Sequence, residues 1–148
     1  MEPLISIRLR DAQRRFRPGS PLCCEYQVDA VDAAEILAVE ASVLWHTEGK
    51  GDEDLGVHHF ERLVAAEVPG RDLRALRQLH TTLPNSPLTY PGVSVKIRWC
   101  VRVRVFLRRG KETFFEQTFT LGKVPPARAV VEPTSEPAPE RDGEDEVD

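Results

Sequence analysis

The sequence predicts an all-β fold, a sandwich of two sheets, on three observations. Apolar and charged residues alternate without a break over most of 93–107, and shorter segments alternate in the same way. Proline and glycine turn signals separate these segments, and little in the chain reads as helix. Short strands divided by turns suit a sandwich, in which each sheet buries one face against the other.

The long segment is the clearest. Val93, Val95, Ile97, Trp99, Val101, Val103 and Val105 form one row, and Lys96, Arg98, Arg102 and Arg104 occupy the other face. Successive side chains of a strand point to opposite faces, whereas a helix would scatter those arginines around its circumference. The segment is therefore a half-buried strand. Glu112 to Leu121, with Phe114, Phe115, Phe119 and several threonines, reads as the returning strand of a hairpin closed by Arg108-Arg109-Gly110-Lys111. Glu112 and Glu116 are placed to oppose arginines across it, at about 0.2–1 kcal/mol per pair.

Upstream, Val39, Ala41, Val43 and Trp45 alternate with Glu40, Ser42 and His46, a strand over 36–47. Ile5, Ile7 and Leu9 alternate with Ser6, Arg8 and Arg10 as an N-terminal strand. Leu22 to Val28 is another, introduced by the turn Arg17-Pro18-Gly19-Ser20, and His58 to Glu67 is a sixth. In 71–83, Leu73, Leu76 and Leu79 recur every three residues as in a short helix, while the C-terminal half reads as strand.

The chain has 148 residues, enough for one domain with its own core. Its formal charge of −4 hides an asymmetry, because 132–148 holds eight acidic residues against Arg141 alone, leaving 1–131 mildly basic. Pro125, Pro126, Pro133, Pro137 and Pro139 add to that acidic run, so 123–148 is expected to be a disordered tail after a sandwich over 1–122. No run approaches the ~18–20 apolar residues of a membrane span, and the arginine-rich start lacks a secretory apolar core. The expectation is a cytoplasmic protein with reduced thiols. Cys23, Cys24 and Cys100 are odd in number and lack metal-type spacing. Cys100 has the parity opposite to Trp99, so it should face away from the core, against a disulfide crossing it.

In order along the chain stand the turn Phe16-Arg17-Pro18-Gly19-Ser20-Pro21-Leu22, the loop Leu83-Pro84-Asn85-Ser86-Pro87-Leu88-Thr89-Tyr90-Pro91-Gly92, and the strand 95–105. In this order and spacing, residues 4–122 resemble the arrestin N-terminal-like family, which includes arrestins, Vps26-type subunits and sporulation-control proteins. The resemblance implies an immunoglobulin-like sandwich of the arrestin N-domain type, used as an adaptor or scaffold, with no catalytic residues to carry over. A full arrestin has a second sandwich, for which this chain is too short.

Other constellations are weaker. His46, His58, His59 and His80 lack ligand spacing, and His58 and His59 would point to opposite faces unless a bulge intervened. The loop from Thr47 to Gly56 holds four carboxylates and three glycines but departs from an EF-hand and reads as a solvated connection. No nucleophile has an identifiable base nearby. The site the residues point to is the basic row Lys96, Arg98, Arg102 and Arg104, with Arg108 and Arg109 at its turn, as a receiver for an acidic or phosphorylated protein segment. Interleaved exposed aromatics are missing, which argues against nucleic acid. No cofactor is expected. The acidic tail is a candidate to lie across the row. Two rival readings are a small metal-dependent enzyme using the histidines and the 52–54 carboxylates, and a subunit that self-assembles through its edge strands.

Overall fold

The computed structural model describes residues 2–11, 13–49, 51 and 53–122. The acidic tail expected over 123–148, and Asp52 of the carboxylate loop, lie outside them. Among the described residues nine strands follow one another: β1 (Leu4–Leu9), β2 (Arg15–Phe16), β3 (Pro21–Asp29), β4 (Ile36–Gly49), β5 (Leu55–Val64), β6 (Arg77–Thr82), β7 (Tyr90–Pro91), β8 (Val95–Leu107) and β9 (Glu112–Leu121). They form two sheets. The smaller has the order β1-β3-β6; the larger has the order β2-β9-β8-β4-β5, with β7 added beside β8. All pairings are antiparallel except the short β2–β9 contact.

The alternation explains the layering. On β8, Trp99, Val101, Val103 and Val105 are buried, and Val39, Ala41 and Val43 of β4 lie beside them on the same inner face. From the smaller sheet, Leu22, Cys24, Tyr26, Val28 and Leu79 close the core over them. The apolar row is shorter than the sequence suggests. Val93 precedes β8 and is 96% exposed, and Val95 at its start is 40% exposed. The physical reason is length: β4 and β8 run for 14 and 13 residues, while the strands of the covering sheet run for 6 to 9. The ends of the long pair overhang.

Trp99 anchors the interior. Its indole N–H donates to the carbonyl of Pro87 at 2.8 Å, which seats the proline-rich loop against the core. Its ring lies 5.9 Å from Phe119, which in turn meets Phe16 edge-on at 5.4 Å. The loop is thus tied to the most buried aromatic of the sandwich.

Upstream of β6, residues 71–76 form no helix: a 3-10 turn over Pro69–Arg71 leads into extended chain, and Leu73 enters the core while Leu76 stays exposed. The three-residue leucine spacing is not a helical stripe: Leu73 and Leu79 are buried from extended chain and from β6, with Leu76 exposed between them. β5 begins three residues before the expected His58 and stops at Val64, where a 3-10 turn, Ala65–Glu67, takes over.

Gly56 is required by its neighbour. It pairs with Trp45, and a Cβ there would sit 2.3 Å from Trp45 Nε1 and 2.5 Å from Cε2. Gly56→Ala is expected to displace the indole and cost about 1–3 kcal/mol of stability, the usual range for overpacking. Chemical denaturation checks the loss, and a shifted Trp45 fluorescence shows its origin.

Candidate protein-docking face

The outer face of the larger sheet is built by register. Across β4 and β8, Glu40 faces Arg104, Ser42 faces Arg102, Leu44 faces Cys100, His46 faces Arg98 and Glu48 faces Lys96. On the far side of β8, Arg102 faces Glu116 and Cys100 faces Thr118. Lys96, Arg98, Arg102 and Arg104 therefore do share one face of a single strand. Arg108 and Arg109 sit apart, in the 3-10 turn Arg108–Gly110 that closes the hairpin. There Arg108 Nε donates to the carbonyl of Ala34 at 2.5 Å, and Arg109 is held at a φ of 69°.

The row is a ladder of ion pairs. Arg98 Nε lies 2.9 Å from Glu48, and Arg102 grips Glu116 with Nε at 2.6 Å and Nη2 at 2.5 Å. Arg62 of β5 is paired with Glu40. Arg104 reaches Glu112 at 3.5 Å, an ion-pair separation rather than a hydrogen bond, and its buried Nε has no hydrogen-bond partner. Two of the guanidiniums also lie over aromatic rings, Arg62 over Phe106 at 5.4 Å and Arg102 over Phe114 at 5.6 Å. Four arginines thus meet four glutamates.

Beside this ladder lies an apolar strip that the sequence reading missed. β5 is the last strand of its sheet and pairs only with β4 among the described residues. Leu55, Val57 and Phe60, each more than half exposed, stand on the same outer face as His46, Leu44 and Ser42. The alternation of β5 is interrupted because the register shifts beside Val43 and Leu44, leaving His58 as an extra residue. A period of two cannot be followed through a bulge, and no other signal marks the strip.

Cys100 corrects a simple parity argument. It faces outward as expected, yet it is fully buried. His46 and Glu116 close over it, their ligand atoms and its sulfur all within 4.8 Å of one another. Burial, then the charge of Glu116, pushes its thiol up to about 12, with Arg102 opposing. The trio is the one His/Cys/carboxylate group of metal-site dimensions among the described residues, but Arg102 already holds its carboxylate.

The other histidines take separate partners. The bulge places His58 Nε2 2.6 Å from the Thr82 carbonyl, while His59 Nε2 lies 2.9 Å from Glu61. His80 stands on the opposite sheet, beside Cys23. In the loop between β4 and β5, Thr47 closes on Asp54 through two backbone-anchored hydrogen bonds of 2.9 and 2.8 Å.

No family model matches the chain, and no curated protein does either. Among solved structures it is similar to the sporulation control protein Spo0M of Bacillus subtilis, at a TM-score of 0.57 and 14% identity. The match takes in 82% of this chain and 50% of the Spo0M chain, so this chain spans about half of that protein's length. At that identity the likeness is one of architecture, and the architecture is an arrestin-like, immunoglobulin-like β-sandwich.

Proposed function

We propose that the chain is a non-enzymatic protein-binding module of the arrestin-like kind, which receives an extended partner segment along β5 and the adjoining face. One observation carries the reading: a ten-residue edge strand whose outer side pairs with none of the described residues shows Leu55, Val57 and Phe60 on the same face as the row of guanidiniums, one strand away. Backbone groups of an edge strand supply affinity to an added strand, and side-chain pockets on the face supply selectivity. Acidic or phosphorylated groups of the segment would exchange with Glu48, Glu112 and Glu116 for Arg98, Arg104 and Arg102, with Lys96, Arg108 and Arg109 at the ends of the row. The likeness to a sporulation control protein supports a regulatory, adaptor-type role. No described helix is long and apolar enough to cross a membrane. The three free thiols suit the reducing cytoplasm.

The test is quantitative capture of partners by the full chain and by two variants. Val57→Lys with Phe60→Lys is expected to weaken capture at least about tenfold, the equivalent of ~1.4 kcal/mol. Reversing Arg98, Arg102 and Arg104 to glutamate is expected to remove selection for acidic segments. Undiminished capture by a folded Val57/Phe60 variant would rule the strip out.

A further inference from the structure

The outer face of the smaller sheet holds a second cluster, remote from the docking strip. Register sets Cys23 of β3 opposite His80 of β6, and Glu25 opposite Gln78. His80 Nδ1 lies 3.1 Å from Cys23 Sγ, and its Nε2 lies 3.3 Å from Gln78 Oε1. In the tautomer that donates Nε2–H to the amide oxygen, the Nδ1 lone pair faces the thiol. A nucleophile, a base and a group that orients the base are thus aligned across two strands.

Cys23 is also the reachable thiol. Cys24 and Cys100 are buried, and desolvation pushes each of them up to about 12, whereas Cys23 is partly exposed. A cleft of about 510 Å³ opens over it, lined also by Arg8, Arg10 and Arg14. Arg8 is tied to Glu25 at 3.0 Å, and Asp11 accepts the backbone N–H of Gln13 at 2.8 Å. Arg10 and Arg14 are exposed and enter no ion pair among the described residues. A partly exposed thiol in a cationic setting is where cysteine reactivity concentrates.

We infer that Cys23 is a thiol–disulfide exchange site for small disulfides that carry carboxylates. The Cys23 thiol gives its proton to His80 Nδ1, and Sγ attacks one sulfur of the disulfide. The Sγ–S bond forms as the S–S bond breaks. The departing sulfur leaves with the electron pair and takes the proton back from His80. Cys23 ends as a mixed disulfide, and one equivalent of small thiol is released. Arg10 and Arg14 hold the carboxylates, so the site selects anionic disulfides.

The experiment uses the reduced full chain and oxidised glutathione near neutral pH, read by intact mass against time and by peptide mapping. One glutathionyl adduct is expected, on Cys23. Cys23→Ser abolishes it, while Cys24→Ser and Cys100→Ser leave it. Without the imidazole to take the thiol proton, His80→Asn is expected to slow the reaction about tenfold, and the deficit closes as solvent base takes over at higher pH. Arg10→Ala with Arg14→Ala slows oxidised glutathione but not the uncharged hydroxyethyl disulfide. The inference falls if the adduct maps to Cys24 or Cys100, if the urea-unfolded chain reacts as fast, or if His80→Asn matches the parent at every pH. If only the arginine variant behaves as the parent, the preference for anions is overturned.

Discussion

Trp99→Ala should lower the free energy of unfolding by about 3–5 kcal/mol, the range for truncating a fully buried tryptophan. Three losses combine. The indole is 1% exposed, so its whole apolar surface leaves a cavity between the sheets. The Pro87 carbonyl loses the 2.8 Å hydrogen bond that ties down the proline-rich loop. Phe119 loses a ring contact at 5.9 Å and with it the support for Phe16. Urea denaturation of parent and variant measures the difference. Trp99→Phe separates the causes, since it keeps most of the packing and removes the indole N–H. A Trp99→Ala loss below about 1 kcal/mol would mean that the core closes without this side chain.

The second large effect is alkaline. Burial raises the thiols of Cys24 and Cys100 from 9.0 to about 12, and burial with Glu61 raises the Tyr26 hydroxyl from 10.0 to about 12. All three are acids with folded-state values above their unfolded ones. Their stabilising contribution is complete below about pH 9 and is lost as pH climbs towards 12, because only the unfolded chain can ionise cheaply there. Each unit of pH difference is about 1.4 kcal/mol per group, so by pH 11 the two thiols cost on the order of 5 kcal/mol. Unfolding free energies measured from pH 7 to 11 under reducing conditions should fall steeply above 9. Cys24→Ala with Cys100→Ala, less stable at pH 7, should show a much flatter decline. Parallel curves for the two proteins would contradict the assignment.

Much of this architecture can be read from particular residues. The row Trp99, Val101, Val103 and Val105 shows a sheet interior because burial follows a period of two. The same period overreaches at Val93 and Val95, where exposure is decided by the shortness of the opposite sheet, a property of no local segment. Parity assigns Cys100 to the outer face but cannot say that His46 and Glu116, 54 and 16 positions away, will cover it. The arginines of β8 are visible as a row, and Glu112 and Glu116 as their partners. Glu48 enters the ladder only once β4 and β8 are aligned, and Glu40 only once β4 and β5 are. Cys23 and His80 meet only through the β3–β6 register.

On the proposed docking function, the matched charges of the broad face also set how a partner would find it. Opposite signs a few ångströms apart cancel rapidly with distance, and ~8–10 Å of physiological electrolyte erases most of what is left. An arriving chain is therefore not steered towards this wall. Encounter should proceed at the ordinary ~10⁵–10⁶ M⁻¹s⁻¹ of uncharged surfaces and change little with added salt. On that reading discrimination would begin only at touching range, once the partner's acidic groups displace the glutamates from the arginines.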